Sequence, residues 1–224
     1  SMSRKTTMIA AIREAIDEEM LRDENVIVLG EDIGELGGPF GSCIGLLDKY
    51  GPDRIIATPI SEWGFTGIGV GAAMRGKRPI VELIYNDFIS VCLDPVMNQA
   101  AKLHYMTGGQ VKIPMVIRAP MGTGRRGAAQ HSQNMEALFA HIPGLKLVCP
   151  STPADAKGLL MTAIRDDDPV VFLEHKLLYP QKVEMPDDVA PIPLGSANIR
   201  REGTDLTILT WARQVNFSLE AAEK

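Results

Sequence analysis

Val26-Ile27-Val28-Leu29-Gly30 sets five apolar residues in a row. Polar alternation is missing, so the run reads as a strand covered on both faces, the habit of a parallel sheet flanked by helices. Upstream, Ile9, Ile12, Ala15, Ile16 and Met20 recur at helical spacing. They predict a helix capped by Thr6 and running to Arg22. Downstream, the Gly-rich residues 34–41 read as an exposed loop. Further strands are expected at 54–57, 79–84, 115–118, 146–149 and 170–174, with helices near 64–74, 91–105, 135–140 and 153–165. Ser151 or Thr152 caps the last helix, and Pro153 suits its first turn. Alternating strands and helices imply an α/β domain, a mostly parallel sheet with helices on both faces. Ligands of such sheets bind beyond the carboxyl ends of strands. The loops to search are therefore 30–41, 58–63 and 119–134.

Composition narrows the function classes. The chain has 224 residues, 45% hydrophobic and 23% charged, which is too apolar for disorder and long enough for a sizeable core. No run approaches the roughly 20 apolar residues of a membrane span. A net charge of −5 offers no basic face for nucleic acid. Cys43, Cys92 and Cys149 are odd in number and far apart, so they suggest neither a disulfide framework nor a zinc site and fit a reducing cytoplasm. Across residues 176–203 the texture changes: Pro180, Pro186, Pro191 and Pro193 interrupt it, and Glu184, Asp187 and Asp188 cluster there. A strand at 205–211 and a helix from Asn216 then read as a new unit. The expected division is a first domain over 1–190, a linker over 191–204, and an incomplete second α/β domain over 205–224 that lacks cover for Leu206, Ile208, Leu209 and Leu219.

Two places could carry chemistry. Thr58-Pro59-Ile60-Ser61-Glu62-Trp63-Gly64-Phe65 joins a strand to an apolar, Gly-rich helix. Glu62 at its head either serves the helix N-terminus or is a buried carboxyl that exchanges a proton with a ligand. Ala128-Ala129-Gln130-His131-Ser132-Gln133 follows the Gly-rich residues 121–127. His131 is either an ordinary loop histidine or an acid–base group that titrates near neutrality. His104, His141 and His175 read as structural. No H-E-x-x-H, paired C-x-x-C or G-x-S-x-G occurs. Gly67, Gly69 and Ala72 fit a relaxed dinucleotide pattern, but a six-residue loop parts them from the preceding strand, and close helix packing explains them better. Gly71 with Gly76-Lys77 fails as a phosphate loop because Arg78 replaces the hydroxyl residue and a helix ends there.

Taken together, Thr58–Phe65, Asn98-Gln99-Ala100-Ala101-Lys102, Ala128–Gln133 and Ala163-Ile164-Arg165-Asp166-Asp167-Asp168-Pro169 occur in order and at matching spacing. They resemble the β subunit of thiamine-diphosphate-dependent 2-oxo acid dehydrogenases, the E1 component of pyruvate, branched-chain and acetoin dehydrogenase complexes. The resemblance covers essentially the whole chain. It implies a transketolase-like, pyrimidine-binding α/β domain that grips the aminopyrimidine half of thiamine diphosphate. It also implies an α subunit holding the diphosphate through Mg²⁺ on a Gly-Asp-Gly motif, which this sequence lacks. An α₂β₂ heterotetramer serving a dihydrolipoyl acyltransferase (E2) core and its lipoyl domain is implied, in bacterial cytoplasm.

Residue by residue, the resemblance implies that Glu62 bonds N1′ of the aminopyrimidine and that Ile60 offers its carbonyl to the 4′-amino group. Phe88 stacks on the ring, although Tyr85-Asn86-Asp87-Phe88 departs from the family's aromatic-Asn-aromatic pattern. Glu31 supports the pocket. His131 serves the substrate adduct or acyl transfer to the lipoyl group, and Arg125 and Arg126 guide a carboxylate or the lipoyl domain. Met115, Ala163, Ile164, Asp166 and Asp168 match a structural potassium site, whose hard ion suits oxygen donors. Leu173-Glu174-His175-Lys176-Leu177-Leu178-Tyr179 looks like pyruvate- or acetoin-type chains. A non-catalytic scaffold β chain and a transketolase-like synthase half are the alternatives, and the presence of both Glu62 and His131 argues against the first.

Overall fold

The computed structural model describes residues 2–224. Its strands are β1 (Ser3–Thr7), β2 (Val26–Gly30), β3 (Ile55–Ala57), β4 (Arg78–Glu82), β5 (Val116–Met121), β6 (Lys146–Val148), β7 (Val170–His175) and β8 (Lys182–Pro186). Its α-helices are α1 (Met8–Arg22), α2 (Leu46–Tyr50), α3 (Glu62–Met74), α4 (Leu103–Met106), α5 (Glu136–Ala140), α6 (Pro153–Arg165) and α7 (Gln214–Ala222). Six strands form one parallel sheet in the order β3-β2-β4-β5-β7-β6.

Neighbouring residues of each central strand feed opposite cores. Val28, Ile80, Val116 and Val170 pack with α1 and α6, through Ile12, Ile16, Leu160 and Ile164. Val81, Ile117 and Val171 pack with Phe65 and Val70 of α3 and with Ile89 and Val96. This two-sided burial is why Val26–Gly30 is apolar throughout. Gly69 of α3 faces the sheet so closely that a Cβ there would lie 2.7 Å from Val81 Cγ2. Close packing accounts for that glycine, whereas Gly67 and Gly71 face open space.

Several boundaries differ from expectation. Thr7 rather than Thr6 caps α1, its Oγ1 accepting from the Ala10 N–H at 3.3 Å, while Thr6 lies in β1. The expected helix at 91–105 is broken into a π-helical turn over Pro95–Ala100 and α4, after a 3₁₀ turn over Asn86–Ser90. Pro95 brings no N–H and blocks a continuous ladder. After Lys176 the chain adds one more strand, β8, which pairs antiparallel with β1 from Ser3↔Pro186 to Thr7↔Lys182. Residues 205–211 form no strand: no ladder joins them, and Leu206 and Leu209 stand 72% and 81% exposed. No helix among the described residues is long and apolar enough to cross a membrane.

Candidate active site

The carboxyl ends of β2, β4, β5 and β7 meet two loops. Gly30 ends β2 against Glu82, where a Cβ would sit 2.6 Å from the Glu82 carbonyl oxygen, so only glycine fits. Glu31 follows and turns inward. Burial pushes its carboxyl up to about 7, with the charges of Glu62 and Asp32 adding to the rise. Glu62 is buried at the first position of α3. Thr66 lies one turn further on and is also buried. Glu31 Oε1, Thr58 Oγ1 and Thr66 Oγ1 are buried polar atoms with no hydrogen-bond partner among the described residues. Natural interiors pair such atoms, so each one left over needs an explanation.

Beside them stands an aromatic wall. The Tyr85 and His131 ring centres lie 4.5 Å apart and those of Phe88 and His131 5.4 Å apart, both edge to face. Phe40 meets Tyr85 at 5.9 Å and carries the Arg125 guanidinium 5.2 Å from its ring centre. The two loops are bolted together. Gln133 donates from Nε2 to Asp87 Oδ1 at 2.9 Å, and Asn86 Nδ2 donates to the Gln133 carbonyl at 3.0 Å. The buried Asn86 also accepts from the Met135 N–H at 3.2 Å. These bonds explain why Asn86 and Asp87 precede Phe88. Cys92 joins the two halves of the site: its thiol bonds the Phe88 carbonyl at 3.8 Å, and burial, reinforced by the Glu62 charge, raises it to about 11.

The structure thus gathers Glu31, Glu62, Phe88 and His131 into one region. Ile60 sits at the rim with its side chain 83% exposed. Met115, Ala163, Ile164, Asp166 and Asp168 lie elsewhere, at the amino ends of β5 and β7. There Arg78 Nη1 donates to the carbonyls of Ile164 and Asp166 at 3.2 and 3.0 Å. Lys146 pairs with the Asp166 and Asp168 carboxylates at 2.7 and 3.0 Å, and the Met115 carbonyl accepts from the Val170 N–H.

The sequence reading passed over a buried charge network. Arg118 of β5 reaches Glu82 and Glu174, each at 2.6 Å. Ser42 Oγ donates to Glu82 at 2.6 Å, and the Tyr179 hydroxyl donates to Glu174 at 3.0 Å. Burial drives the Glu174 carboxyl and the Tyr179 hydroxyl up. Arg118 and Glu174, charged residues within the apolar runs of β5 and β7, with Glu82 ending β4, were the available signal. Lys176, 2% exposed after β7, was missed in the same way.

The sequence matches the transketolase pyrimidine-binding domain over residues 4–182. The chain is 53% identical over 231 residues to the β subunit of an acetoin:2,6-dichlorophenolindophenol oxidoreductase from Cupriavidus necator, covering 99% of this chain and 68% of that one. It is 51% identical over 216 residues to a pyruvate dehydrogenase E1 β subunit from Rickettsia conorii, covering 96% and 66%. The chain therefore spans about two thirds of the length of these relatives. A solved split-gene transketolase, an inactive β₄ tetramer, shares the fold at a TM-score of 0.59 and 20% identity, over 75% of this chain and 50% of that one. The chain belongs to the transketolase pyrimidine-binding family. Its relatives within that family include pyruvate dehydrogenase E1 β subunits and the β subunits of acetoin:2,6-dichlorophenolindophenol oxidoreductase and 2-oxoisovalerate dehydrogenase.

Proposed function

We propose that this chain supplies the pyrimidine-binding half of a thiamine-diphosphate-dependent E1 active site, acting on a 2-oxo acid or acetoin and passing the acyl group to a lipoyl carrier. The observation that carries the reading is the cluster of unpartnered buried oxygens on Glu31, Thr58 and Thr66, grouped with Glu62 beside the Tyr85–Phe88–His131 wall. Such a pocket fits a flat heteroaromatic ring that brings its own donors and acceptors. Thiamine diphosphate, when bound, supplies the electron sink for breaking a carbon–carbon bond.

The chain's own residues hold and move protons. Glu62 would bond the ring nitrogen N1′, and the Ile60 carbonyl would receive the 4′-amino group. Phe88 would pack against the ring. Burial raises the neighbouring Glu31 carboxyl to about 7, so it gives up its proton less readily than an ordinary carboxyl. His131 faces the aromatic wall and would exchange a proton with the substrate or the incoming lipoyl group. Because no Gly-Asp-Gly occurs, the Mg²⁺ and diphosphate fall to an α subunit, and the lipoyl carrier belongs to an E2 core.

At the far end of the sheet, the carbonyls of Met115, Ala163, Ile164 and Asp166 with Asp168 would hold a potassium ion tying α6 to β7. A carbonyl oxygen has two lone pairs. Arg78 takes one each from Ile164 and Asp166, which leaves one each for an ion.

Glu62→Gln in the full-length β chain paired with its α subunit tests the reading. It keeps the shape and removes the proton, so turnover should fall by about 10²–10⁴-fold with the melting temperature unchanged. Near-normal turnover would take Glu62 out of the chemistry.

A further inference from the structure

The site leaves one buried cation without a task. The ammonium of Lys176 lies 4.7 Å from the Tyr85 ring centre and donates to the backbone carbonyl of His131. Only 2% of Lys176 is exposed, so it does not meet solvent or a substrate directly. Burying an ammonium costs desolvation, and an apolar side chain would fill the same space more cheaply. The charge therefore calls for a reason beyond packing.

The turn that carries His131 supplies one, because it does not hold itself. Within Ala129–His131 the His131 N–H meets the Ala128 carbonyl only at 3.5 Å, the outer limit of a hydrogen bond. Just before it, Arg126 and Ala128 sit at φ of +57° and +59°, a conformation side-chain-bearing residues avoid. What keeps the turn in place comes from outside. Gln133 is bound to Asp87 and Asn86, and Lys176 reaches the His131 carbonyl itself. The same ammonium rests on the Tyr85 face, and the Tyr85 ring meets the imidazole. One cation thus grips the backbone of His131 and the ring that borders its side chain.

We infer that Lys176 is a positioning residue that aims the His131 imidazole by clamping the His131 carbonyl and the Tyr85 ring. The inference rests on the reading of His131 as an active-site acid–base group. The charged and titratable groups around Lys176 are Asp87, which favours the ammonium, Arg125, which opposes it, and the neighbouring His175. Burial is the largest influence and holds the Lys176 pKa below the usual lysine range.

The test is a mutant cycle in the full-length β chain paired with its α subunit, read as kcat for acyl transfer to a free lipoyl domain and as thiamine diphosphate affinity by titration. Lys176→Met should lower kcat by about 10²-fold, the scale of a misplaced catalytic group, with cofactor affinity retained. In a His131→Ala background it should add no further loss, since it acts through His131. Lys176→Arg, which keeps charge and donor, should recover part of the rate. Tyr85→Leu removes the other arm of the clamp, should show the same non-additivity, and carries the test if Lys176→Met does not fold. Parental kcat in Lys176→Met or in Tyr85→Leu overturns the clamp while a disabled His131→Ala keeps the His131 reading. Losses that add to those of His131→Ala make Lys176 a structural pillar only. Parental kcat in His131→Ala overturns both readings together.

Discussion

Two groups of buried polar residues sit along the carboxyl edge of the same sheet, and they are treated in opposite ways. In the network of Glu82, Arg118 and Glu174, both carboxylates pair with the guanidinium, and Ser42 and Tyr179 add hydrogen bonds. Around Glu62, Glu31 just after β2, Thr58 just after β3 and Thr66 on α3 have unpaired oxygens. Glu31, Glu62 and Thr66 are buried, as Glu82, Arg118 and Glu174 are, so exposure alone does not separate the groups. Completeness of pairing does. A paired buried network stabilises one arrangement of the chain, whereas an unpaired cluster holds free energy that a ligand can recover.

After the loss of turnover expected for Glu62→Gln, the largest effect should come from the paired group, and it should appear as lost stability. Arg118→Met removes the shared partner and leaves two buried carboxylates facing each other. Breaking one side of a buried pair costs about 3–5 kcal/mol. Urea unfolding should show a loss on that scale. A loss below about 1 kcal/mol would mean that the network contributes nothing the apolar core does not already supply.

Glu31 should behave in the reverse sense. Its folded pKa of about 7 stands above the ordinary 4.5, so the folded chain holds the proton more tightly than the unfolded chain. Stability from that difference is complete below about 4.5 and is lost as pH rises through about 7. Glu31→Gln cannot lose the proton. The melting temperature of the variant relative to the parent should therefore climb across that interval and level off above it. Parallel curves from pH 4 to 8 would return Glu31 to an ordinary surface-like carboxyl.

The contrast also explains what the sequence made legible. Period and apolarity reveal burial, so the central strands, α3, α6 and the two-faced core were readable from runs such as Val26–Gly30. Glu62 and His131 were readable because each follows a strand in a loop with distinctive neighbours. Pairing across strands was not readable. Arg118, Glu82 and Glu174 are 36 and 56 residues apart, and only the β4–β5–β7 register brings them together. Lys176 was hidden for the same reason, since its partner His131 lies 45 residues away. The pairing of β1 with β8 joins residues far apart in the chain, and neither run looks like a buried strand because only Thr6 and Met185 of them are buried.

The smallest effect is expected where apolar rather than polar groups lack partners. Leu206, Ile208, Leu209 and Trp211 stand 72%, 52%, 81% and 51% exposed, although the sequence of residues 205–211 reads as a strand. A strand needs a neighbouring ladder, and these residues pair with neither edge of the sheet. Leu209→Ser in this 224-residue chain should then shift the unfolding midpoint by no more than about 0.5 kcal/mol, as for surface positions generally. We propose that residues 205–224 open a second α/β domain. In that case the same substitution in a chain of the relatives' full length removes a buried leucine, a loss of about 1.5–3 kcal/mol. Measuring both forms separates the cases. A small shift in each would make 205–211 a connecting segment, and a large shift in the short chain would contradict the exposed placement of Leu209.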